Sequence, residues 1–80
     1  MNDSDVAQTI IAMATERGPD KTICPSEVAR AMFAPDWRKH MAQVRDVAIT
    51  LQHQGKVSIT QKGAPIDVQN IKGPIRIKIK

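Results

Sequence analysis

At Gly55 the spacing of apolar residues changes from three and four to two, so the chain must pass from helix to sheet at that point. Before it, Trp37, Met41, Val44, Ala48 and Leu51 alternate steps of four and three along one helical face. After it, Lys56-Val57-Ser58-Ile59-Thr60 and Ile75-Arg76-Ile77-Lys78-Ile79-Lys80 alternate as half-buried strands do. Gly55 supplies the left-handed residue that ends such a helix. If Ile75, Ile77 and Ile79 face a core, Arg76, Lys78 and Lys80 project from the other side of the sheet, with Lys56 beside them and Lys62 as a further candidate.

Two more helices are predicted upstream. Val6, Ile10, Met13 and Ala14 form one stripe behind a cap at Asp3 or Ser4, and Gly18-Pro19 ends that helix. Thr22-Ile23 reads as a short extended piece, because Pro25 disfavours helical geometry just before it. Cys24-Pro25-Ser26-Glu27 is laid out as a helix start: either Glu27 reaches back to Cys24, or Ser26 is the true cap. This second helix carries Val28, Ala29 and Met32 inward and stops near Ala34-Pro35. Asp36 is then expected to cap the third and longest helix, with Gln52 on its exposed side. Lys62-Gly63 is a turn signal, and Ala64 to Pro74 reads as an irregular excursion.

The order helix, short strand, helix, turn, long helix and two-stranded ribbon defines an α+β winged helix-turn-helix occupying residues 1–80 as one domain. The residue pattern also resembles a bacterial family of small winged-helix proteins known as a domain of unknown function. Ile23-Cys24-Pro25-Ser26-Glu27-Val28-Ala29-Arg30, Trp37-Arg38, Met41, Val44-Arg45, Ala48, Leu51, Ile59-Thr60-Gln61, Gly63 and Gly73-Pro74-Ile75-Arg76 carry the resemblance. It implies the fold, and no activity, ligand or catalytic residue.

Composition narrows the function. Eighty residues support one small core, and the single cysteine, Cys24, leaves no intrachain disulfide to staple it. The acidic start at Asp3 and Asp5, and the lack of an apolar run near the roughly 20 residues a bilayer span needs, predict a cytosolic chain with no membrane partner. Cys24, His40 and His53 are too scattered for metal-ligand spacing, and no nucleophile-base pair or phosphate loop is evident. The expectation is therefore a non-enzyme without cofactor or metal.

The net charge of +4 is uneven. Residues 1–54 hold six Lys/Arg against seven acids, whereas residues 55–80 hold six against Asp67 alone. The basic end is the part suited to a polyanion.

On the third helix, Lys39, Gln43, Asp46, Thr50 and His53 lie opposite the apolar stripe, where a major groove would meet them. An ordinary solvated face is the competing reading, and Asp46 favours it. Arg38 and Arg45 share one flank with Ala42 and Ile49, suited to clamping phosphates or to packing against Asp67, Glu27 or a protein. On the sheet, Lys56, Arg76, Lys78 and Lys80 suit phosphate contact and also protect an edge strand. The leading expectation is nucleic acid, duplex DNA in particular, bound through the third helix and basic wing. The alternative is a protein-docking winged helix that receives a partner or a second copy.

Overall fold

Asn2 caps the first helix, α1 (Asp3–Arg17): its side chain accepts a hydrogen bond from the Asp5 N–H at 3.0 Å. The cap is thus one residue earlier than the earlier of the two expected, and Asp3 and Asp5 instead sit in the first turn, where the helix dipole favours carboxylates. Gly18, at φ 106°, ends α1 as expected. The computed structural model describes residues 2–61, 64–65 and 73–80, and the expected turn at Lys62-Gly63 lies outside them.

The second helix, α2 (Pro25–Phe33), starts on Cys24 with Pro25 in its first turn. Of the two arrangements open in the sequence, Glu27 reaching back is found: its Oε2 accepts from the Cys24 N–H at 2.6 Å. Asp36 begins a 3-10 turn (Trp37–His40) and makes no side-chain cap bond. The third helix, α3 (Met41–His53), has 13 residues and is shorter than α1, which has 15. The expected long third helix is therefore a tight turn joined to a shorter α-helix, because the chain leaving Pro35 winds with three-residue spacing before it opens to the α-helical pitch. At its other end, Gly55 (φ 76°) donates to Gln52 O and Lys56 to Leu51 O, both at 2.9 Å, the paired bonds of a Schellman motif.

Among the described residues the sheet has three antiparallel strands in the order β2-β1-β3, where β1 is Val57–Gln61, β2 Ala64–Pro65 and β3 Arg76–Ile79. A two-stranded ribbon was expected; β2, two residues long, adds a pairing at Ala64-Pro65 where only an irregular excursion was legible. On the far side of β3, Ile23 and Ile77 exchange two N–H···O bonds of 2.8 Å, which confirms Thr22-Ile23 as an extended piece joined to the sheet. Because Ile77 directs its backbone groups at Ile23, the opposed pair Ile59 and Ile77 is the non-hydrogen-bonded kind, and the Ile59 N–H faces away from β3. Gln52 Oε1 accepts that N–H at 2.6 Å, so Gln52 is not the free surface residue expected. One α3 side chain thereby covers a strand-edge donor below the end of β2.

All three helices and the inner face of the sheet meet in one core. Val6, Ile10, Ile23, Val28, Val44, Val57, Ile59 and Ile77 are fully buried there, with Ala48 and Leu51 on the α3 side. Val47, absent from the expected stripe, is also buried, whereas Trp37 and Met41 are only partly so. Met13 and Met32, expected inside, pack against the edge of this core. Three helices and a small antiparallel sheet form an α+β fold of winged-helix type.

Candidate nucleic-acid interface

The register of β1 and β3 assembles the basic residues of the sheet. Val57 opposes Ile79 and Ile59 opposes Ile77 on the inner face, so Ser58 opposite Lys78 and Thr60 opposite Arg76 take the outer one. One pair further, the Lys80 N–H meets Lys56 O at 3.3 Å, which sets Lys56 against Lys80. Like charges directly opposed across a ladder repel and raise the potential between them. Lys56 and Lys80 are exposed, Lys78 half-buried. The ion pairing among the described residues is that of Arg17 with Glu27, so none of these three lysines has a carboxylate partner there.

Arg76 behaves differently although it occupies the same strand face. Its Nε donates to Thr22 Oγ1 at 2.8 Å, its Nη2 to Thr22 O at 3.3 Å, and its Nη1 meets Cys24 Sγ. The guanidinium is folded over the segment that pairs with β3 and ties the start of α2 to the sheet.

On α3 the expected residues divide in the same way. Lys39, in the 3-10 turn ahead of α3, is exposed, and its side chain carries no hydrogen bond or ion pair among the described residues. Gln43 Nε2 donates to Asp3 Oδ1 at 3.0 Å, and Thr50 Oγ1 donates to Asp46 O one turn back on its own helix. Asp3, Asp46 and Thr50 line a hollow of about 230 Å³ between α1 and α3, floored by Ala7, Val47 and Leu51, which makes that side of α3 acidic. On the other flank, Arg45 Nη2 donates to Gly73 O at 3.2 Å and holds the end of the wing's return against the helix. Gln61 Nε2 secures the same corner through Pro74 O at 3.0 Å. The Arg38 guanidinium stands 4.5 Å from the centre of the Trp37 ring. Neither arginine of this flank reaches Glu27, whose partner is Arg17 at 2.8 Å. Lys62 and Asp67 lie outside the described residues.

Electrostatics at Cys24 follow from this pairing. The hydrogen bond from Arg17 first, then the one from the Cys24 N–H, holds the Glu27 carboxyl below its ordinary range against partial burial, with Arg76 adding to the effect. The site is an ionic clasp between α1 and α2. Among the described residues no group of three His, Cys, Asp or Glu side chains could hold a metal ion.

Two features escaped the sequence reading. Arg30, on α2, lies 4.4 Å from the same Trp37 ring as Arg38, and Phe33 stacks on His40 with ring centres 3.8 Å apart. The α2–α3 corner is thus an aromatic platform carrying cations. The sequence signal was there, since Arg30, Phe33, Trp37 and Arg38 bracket Pro35, but the tight turn that brings them together was not legible.

A family model described as Protein of unknown function (DUF3253) matches residues 3–80, and no curated protein matches the chain.

Proposed function

We propose, for a chain that belongs to the DUF3253 family, a role as a non-enzymatic winged helix that binds nucleic acid, duplex DNA above all. The observation that carries this reading is the ladder register that sets Lys56 opposite Lys80 beside Lys78, all three without a carboxylate partner among the described residues. Polyanion backbones match such a surface, because each neutralised phosphate releases condensed counterions. Lys39 and the outer side of α3 offer a second contact, along the major groove, as in other helix-turn-helix proteins.

Binding to a duplex of about 20 base pairs, followed by anisotropy at two salt concentrations, tests the reading. Affinity should fall steeply with salt, by a slope of about 0.9 per phosphate contacted. No binding even at low salt would sink it. A protein-docking role would then take its place, favoured by one feature: Asp46 is exposed on α3 and Gln43 is drawn to Asp3, so part of that helix repels a polyanion.

The remaining expectations belong to the same proposal. The chain acts without cofactor in the cytosol. No helix among the described residues is long and apolar enough to cross a membrane.

A further inference from the structure

The corner between α2 and the 3-10 turn holds two guanidiniums on one indole. Arg30 and Arg38 stand 4.4 and 4.5 Å from the centre of the Trp37 ring, so their own separation cannot exceed the sum of those distances. Both residues are exposed, and neither guanidinium has a hydrogen bond or ion pair among the described residues. Asp36, the carboxylate nearest Arg38 in sequence, pairs with neither, and Glu27, the nearest to Arg30, pairs with Arg17. At no more than that separation the two like charges are only partly screened by salt, whose Debye length is about 8 Å at physiological strength, and the ring's attraction holds both in place. A guanidinium held over an aromatic ring keeps its N–H donors available, and these suit phosphate oxygens in pairs. Phe33 stacked on His40 stiffens the same corner, and Lys39 adds a further exposed cation.

We propose that Arg30 and Arg38, arrayed on Trp37, form a phosphate clamp that grips the backbone of duplex nucleic acid at the α2–α3 corner. The clamp rests on the nucleic-acid reading for its ligand and adds a second anchoring point, on a different element from the sheet lysines. Trp37 serves as the support for the two cations. It is the chain's one tryptophan, so it reports on its own site.

The test titrates the full chain with a 20-base-pair duplex and, separately, with inorganic tripolyphosphate, while reading Trp37 emission. The duplex should change the emission. Arg30→Gln and Arg38→Gln should each flatten the salt slope by about 0.9, and Lys21→Gln, an exposed control of equal charge change, by much less. Trp37→Leu keeps both charges, so a several-fold weaker affinity for the duplex would mark the platform; an unchanged affinity in a folded Trp37→Leu protein would overturn it. Should that variant fail to fold, the exposed arginine variants still decide. A duplex that binds without altering Trp37 emission, and with slopes unchanged in both arginine variants, overturns the clamp and leaves the sheet lysines standing. If the duplex does not bind at all, the nucleic-acid reading fails, and tripolyphosphate decides the rest. Quenching lost in the arginine variants upholds a phosphate site, and no quenching removes it.

Discussion

The outer face of the sheet has two ends that differ in what their charges do. At one end Arg76 is drawn down onto Thr22 and Cys24 and joins β3 to the start of α2; at the other, the side chains of Lys56, Lys78 and Lys80 have no carboxylate partner among the described residues. Arg76 and Lys78 are two residues apart on the same strand. The difference lies in what flanks them: beside Arg76 runs the segment carrying the Thr22 hydroxyl and carbonyl, and Arg has the donors to use both at once. A positive charge is therefore a binding group only where the fold has left its donors unused. Net charge alone does not separate the two cases.

That contrast can be broken in several ways. The inner face sets the scale: Ile77→Ala removes a fully buried side chain from the middle of the sheet and should cost about 2–5 kcal/mol. A urea midpoint shift no larger than that of the exposed Gln8→Ala would contradict it. Arg76→Gln should come next, at about 1–3 kcal/mol, since it strips the bonds to Thr22 and disturbs the join to α2. Its salt slope for duplex binding should stay close to that of the wild type.

A smaller effect is expected from pH. Glu27 titrates below the ordinary carboxylate range in the folded protein, chiefly because Arg17 hydrogen-bonds to it. Its contribution to stability is complete above the pKa of the unfolded chain and is lost as pH falls through the lower folded value. Between neutral and acid pH the wild type should lose more stability than Glu27→Gln. Equal losses in the two proteins would show that the clasp contributes nothing.

Lys78→Gln should have the least effect on stability, within about 0.5 kcal/mol. Its salt slope should nevertheless flatten by about 0.9. If Arg76→Gln flattened the slope as much and left stability untouched, the two ends of the sheet would be equivalent and the distinction would collapse.

Local patterns were legible in the sequence wherever a local rule governs the backbone. The helix end at Gly55, the start at Cys24-Pro25-Ser26-Glu27 and the alternation of Ile75, Ile77 and Ile79 each rest on neighbours a few residues apart. Trp37 shows the limit. Its spacing to Met41 fits an α-helix, yet the turn after Pro35 is wound more tightly, which leaves the indole at the edge of the core beneath two arginines. For the candidate site, the shared face of Lys56, Lys78 and Lys80 followed from strand alternation. The engagement of Arg76 did not, because Thr22 lies 54 positions away and only the fold brings them together. Gln43 and Arg45 were unreadable for the same reason, their partners being Asp3 and Gly73.

The bridge between Ile23 and Ile77 also has a consequence for how the domain assembles. It stitches the link between the first two helices to the last strand, so closing it requires a loop of more than half the chain, at an entropic cost that local helix contacts do not repay on their own. During synthesis the three helices emerge before β3, so their common interior lacks Ile75 and Ile77 until that strand follows. The winged ribbon is therefore part of the cooperative unit, and the amides of Ile23 and Ile77 should exchange with water only when the whole domain opens.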